Sequence, residues 1–83
     1  MKIKDFEDLG FSILAKGETY LVANNKSDLD RWTELGYDFE KQTVQVIGAH
    51  QHEKGGTVRS TLIVTECKNA TDLHKILKFV EHY

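Results

Sequence analysis

The chain has no proline and a single cysteine, Cys67. Without proline it has no cis X–Pro bond to slow folding, no polyproline segment and no proline guarding a strand edge. One thiol excludes an internal disulfide and a thiolate zinc cage, and it suits a reducing compartment. Long apolar runs are missing too: none approaches the roughly 18 residues of a membrane span. Met1-Lys2-Ile3-Lys4 leads into acidic residues and not into a signal-peptide core, so the expected location is cytoplasmic. Charge of one sign is not in excess. Eleven Lys and Arg against 13 Asp and Glu give a formal charge of −2, which argues against a dedicated nucleic-acid binder. Glycine-rich phosphate loops, nucleophile elbows and paired-histidine zinc helices are absent, and no cofactor or metal site is expected.

What is present is a chain of 83 residues, 40% hydrophobic and 29% charged. That is enough for one core and one domain over residues 1–83. Charge is uneven along it. Residues 1–40 hold five basic and nine acidic side chains, net −4; residues 41–83 hold six and four, net +2, with all four histidines.

Ile3, Phe6 and Leu9 repeat every three residues and suggest a short helix stopped by Gly10. Phe11 to Ala15 and Glu18 to Ala23 flank Lys16-Gly17 and read as a hairpin in which paired numbers sum to 33. Ser27 with Asp30 resembles a capping box opening a helix through Leu29, Trp32 and Leu35, ended by Gly36. Thr43 to Ala49 and Thr57 to Cys67 form a second hairpin about Gly55-Gly56, with numbers summing to 110 preferred because Val44 and Val46 then share a face with Val64 and Leu62. Asn69 or Thr71 caps a last helix carrying Leu73, Ile76, Leu77 and Val80.

Two stretches match as aromatic–x–acid–Leu–Gly–aromatic: Phe6 to Phe11 and Trp32 to Tyr37. The expected fold is therefore α+β in the order α-ββ-α-ββ-α. Its four-stranded antiparallel sheet carries helices on one face and an internal pseudo-repeat. The expected core is Phe6, Leu9, Ile13, Leu29, Trp32, Leu35, Val44, Val46, Leu62, Val64, Leu73, Ile76, Leu77 and Val80.

Three surfaces stand out as candidate sites. His50, His52, Lys54 and Arg59 gather chargeable groups at a hairpin tip suited to phosphates or an acidic protein. Asp30, Glu34, Tyr37, Asp38 and Glu40 form an acidic stretch with an aromatic, suited to a basic protein surface. Leu14, Leu21, Ile47 and Ile63 are too apolar for a solvated sheet face and suggest a two-fold homodimer.

Gly48-Ala49-His50, following Leu35-Gly36-Tyr37, resembles the HicA-type interferase toxins over residues 32–64. Ala49 stands where those toxins carry serine. The resemblance implies His50 as a general acid or base on an RNA 2′-hydroxyl. No nucleophile–base pair has readable spacing, so the chain is not expected to be an enzyme. The leading expectation is a small protein-binding inhibitor or adaptor, of the kind a phage uses against a host nucleic-acid enzyme. Its rival is a nucleic-acid-binding regulator that uses the 50–59 hairpin.

Overall fold

Leu35-Gly36-Tyr37 lies inside a strand, and that placement reorganises the fold. The computed structural model describes residues 1–25 and 30–81. Its elements are α1 (Ile3–Glu7), β1 (Ser12–Lys16), β2 (Tyr20–Asn24), β3 (Arg31–Asp38), β4 (Thr43–Gln51), β5 (Thr57–Glu66) and α2 (Ala70–Glu81). The strands form one antiparallel sheet in the order β1-β2-β3-β4-β5. The fold is a small α+β domain, but the described residues form five strands and two helices in place of the expected four and three.

The residues expected as a middle helix account for the difference. Trp32 and Leu35 are three apart, but Leu35 and Tyr37 are two apart and both buried, the period of a strand. β3 pairs along its whole length with β4 and along most of it with β2, and these ladders outweigh the helix propensity of Glu34 and Leu35. Ser27 and Leu29, assigned to that helix, lie outside the described residues. The pseudo-repeat fails with it: Gly10 ends α1 at φ +90°, while Gly36 is a strand interior without positive φ.

Both ends of the chain cover the same sheet face. Phe6 of α1 and Leu73 of α2 pack on Leu21, Ala23, Leu35, Tyr37, Val44 and Val46, all buried, with Phe11 and Cys67 completing the cluster. Phe6, Tyr37 and Phe39 stack edge to face at centroid distances of 5.4 and 5.0 Å. The Tyr37 hydroxyl donates to the Cys67 carbonyl, tying β3 to the start of α2. Asn69 caps α2, its Oδ1 accepting from the Asp72 N–H at 2.8 Å, as its sequence position suggests.

Both hairpin registers differ from expectation: each turn is longer than expected, and a bulge then changes the pairing by one. In β1–β2 the paired numbers sum to 36 and then 37, and in β4–β5 to 109 and then 108. One extra residue sits in each outer strand, Leu14 in β1 and Leu62 in β5, as a β-bulge. The observed register turns Val64 outward, 63% exposed, so it leaves the expected core. Leu21 and Ile63 move the other way and join the helix-covered side.

Candidate functional site

The second sheet face has no helix over it among the described residues. Alternation from the buried positions assigns its side chains in cross-strand rows. Tyr20, Asp38, Thr43 and Glu66 form one row, followed by Ala15, Val22, Gly36, Gln45 and Val64. Next come Ser12, Asn24, Glu34, Ile47 and Thr61, and then Trp32, Ala49 and Arg59.

Gly36 shapes the centre of this face. A Cβ built there would meet nothing within 4 Å, so the absent side chain leaves a depression between neighbouring strands. The resulting groove holds about 250 Å³ and is lined by Tyr20, Val22, Asp38, Thr43, Gln45 and Val64, among others. Tyr20 is 50% exposed and Val64 more so, a large apolar display for a solvated sheet face. Asp38 and Glu66 flank the groove at one end, and neither makes an ion pair among the described residues.

At the other end a polar clasp spans the strands. The Arg59 guanidinium holds Glu34 through Nε at 2.8 Å and a second nitrogen at 3.3 Å, and Trp32 Nε1 donates to the same carboxylate at 3.0 Å. The Glu34 carboxylate raises the Arg59 pKa further above its usual range. Arg59 is therefore committed within the sheet and does not gather with the hairpin tip.

The remaining sequence candidates separate. His50 and His52 are exposed, and His52 Nδ1 accepts from the Lys54 N–H at 3.1 Å inside the tip turn, where Gly55 and Gly56 supply positive φ. In the acidic–aromatic group, Tyr37 is buried on the helix side and Asp38 Oδ1 closes a turn by accepting from the Glu40 and Lys41 N–H groups. Asp30, Glu34, Asp38 and Glu40 thus share no single surface with Tyr37. Of the expected self-association residues, Ile47 stands on the open face and Leu14 at the β1 bulge, while Leu21 and Ile63 face the helices. The strand setting of Leu35-Gly36-Tyr37 also removes the helix–glycine context in which His50 resembled a toxin histidine.

Cys67 is buried, and burial, with Asp72 nearby, pushes its thiol up to about 11. Burial raises Tyr37 as well, with Cys67 adding to it. No group of three or more metal-ligating side chains occurs among the described residues, and no helix there is long and apolar enough to cross a membrane. A larger groove of about 650 Å³ beside α1 mixes Lys2, Lys4 and Lys16 with Glu7 and Glu18, so its cations stand among acids. Missed by the sequence reading was Gly36 itself, whose position between Leu35 and Tyr37 was the available signal.

No family model, no curated protein and no solved structure matches the chain.

Proposed function

We propose that the chain is a small, non-catalytic protein-binding module, an inhibitor or adaptor, that docks a basic protein surface on its open sheet face. The observation that carries this is the groove over Gly36, apolar along Tyr20, Val22 and Val64 and flanked by Asp38 and Glu66. Such a site accepts one apolar side chain of the partner in the groove and a Lys or Arg beside it, pairing with the carboxylates. Complementary charge favours encounter and register, and the buried apolar anchor supplies most of the affinity. A nucleic-acid enzyme, whose working surface is basic, fits that description.

The β-bulges favour a face over an edge. An edge strand pairs with another chain through its free N–H and C=O row, and a bulge breaks that row. Leu14 and Leu62 interrupt both outer strands.

Selection from a displayed library of random peptides tests the reading. Enriched peptides are expected to carry Lys or Arg next to a large apolar residue, and to shift the amide resonances of Val22, Gly36, Gln45 and Val64. Peptides that bind elsewhere, or whose binding survives Asp38→Asn with Glu66→Gln, would overturn it.

A further inference from the structure

On the helix-covered side the sheet is longer than its cover. The last turn of α2 reaches Thr33 and Leu62 through Leu77 and Val80, which border a small hollow there. Beyond it β3, β4 and β5 continue, bringing Arg31, His50 and Val58 into one cross-strand row next to Thr33, Gly48 and Ser60. By the same alternation that buries Leu35 and Val46, Arg31, Gly48 and His50 point to this side.

A separate depression of about 310 Å³ lies on this overhang, lined by Arg31, Trp32, Gly48, Ala49, His50, Ser60 and Leu62. Arg31, His50 and Ser60 are thus the polar residues that both share this side of the sheet and border the depression. Arg31 and His50 are direct partners across β3 and β4, so their Cβ atoms are about 5 Å apart. Ser60 faces Gly48, which adds no side chain of its own, and Leu62 packs over Gly48 as an apolar wall. Among the described residues, no acid lines the depression. Asp30 precedes Arg31 in the chain, Glu53 follows His52, and Glu81 at the end of α2 pairs with Lys78 at 3.8 Å. Arg31 makes no ion pair among the described residues.

We propose that Arg31, His50 and Ser60 form a binding site for a phosphate group, on the opposite side of the sheet from the protein-docking face. The guanidinium fork matches two phosphate oxygens, the imidazole N–H and the serine hydroxyl each donate to another, and Leu62 accommodates the apolar part of whatever carries the phosphate. Lys54, on the turn beyond Gln51, adds a cation at the same end of the sheet, with Glu53 beside it in the chain. The site is thus built for a nucleotide or for the backbone of a nucleic-acid strand, and the phosphate chemistry is common to both.

Titration of the full chain with inorganic phosphate, thymidine monophosphate and a twelve-residue oligothymidylate, followed by amide resonances, tests the site. Saturable shifts at Arg31, Gly48, His50 and Ser60 are expected. Arg31→Gln should weaken binding about tenfold, the loss expected for one charge-assisted contact. Lys75→Gln, on the exposed side of α2, should leave it unchanged. Arg31 and His50 are exposed, so Arg31→Gln should retain the wild-type melting temperature; His50→Gln provides a second variant should it not. A nucleic-acid ligand gives tighter binding of the oligomer and a log–log salt slope that falls by about 0.7 in Arg31→Gln. A small phosphorylated ligand gives equal affinity for monophosphate and oligomer. Shifts spread evenly over all Lys and Arg amides, or binding that survives both variants, would refute the proposal.

Discussion

Replacing Gly36 by valine should stabilise the fold and abolish docking. The two effects oppose because Gly36 is a poor strand residue kept in a strand interior. Its φ is not positive and its Cβ direction is empty, so nothing in the backbone or packing requires glycine. Glycine in a strand costs about 0.5–1 kcal/mol relative to alanine, and a β-branched residue in a pleated position adds up to about 1 kcal/mol. Gly36→Val should therefore raise stability by roughly 1 kcal/mol or more. Unfolding entropy of about 2.1 cal/mol/K per residue gives about 0.17 kcal/mol/K for a chain of this length. The melting temperature should then rise by about 6 °C, read by circular dichroism or calorimetry. The same three carbons would stand in the groove between Val22 and Gln45, where the partner's apolar side chain is placed. Binding of selected peptides should fall at least tenfold. A lowered melting temperature would show that the space over Gly36 is not free. A stabilised variant that still binds would show that the groove is not the docking site.

Leu73→Ala should be far more damaging, by about 2–5 kcal/mol, because Leu73 is fully buried where α2 meets the sheet. A drop in melting temperature of less than about 12 °C would contradict that packing. Cys67 should resist alkylation at pH 8 in the folded chain and react on unfolding, since its folded thiol titrates near 11. By linkage, its neutral form contributes stability that is whole below the unfolded thiol pKa of about 8.5 and is lost as pH rises through 11, with Tyr37 reinforcing the loss. Denaturation midpoints that hold constant between pH 8 and pH 11 would refute the assignment. Light scattering at micromolar concentration should give a mass near 9.5 kDa. Bulged edges and repulsion between the Asp38 and Glu66 carboxylates of two copies both disfavour pairing, and a mass of twice that value would show otherwise.

The parts of the fold that were readable in the sequence are those set by local chemistry. Asn69 before the periodic Leu73, Ile76, Leu77 and Val80 marks a capped amphipathic helix, and Gly10 and Gly55-Gly56 sit where positive φ is required. What escaped depends on partners distant in the chain. Trp32 and Leu35 suit a helix in isolation, and only pairing with both Ala23 and Val46 makes Leu35 a strand residue. Bulges at Leu14 and Leu62 have no glycine or proline to announce them, so the change of face they cause along β1 and β5 is not legible in the pattern. The candidate sites followed the same division. His50 was visible as an exposed histidine, but its neighbour Arg31 belongs to a strand read as a helix, and the clasp of Arg59 on Glu34 bridges residues 25 apart.

Every strand neighbour in this sheet is also the next strand in the chain, while the helices that bury it come from opposite ends. On the ribosome, the five strands are made before α2. Until residues 70–81 emerge, Leu21, Leu35, Val44 and Val46 have only α1 to cover them. The nascent sheet therefore offers two open faces and the finished protein one. Synthesis of α2 is the step at which a chain prone to nonspecific association becomes a domain with a single open face.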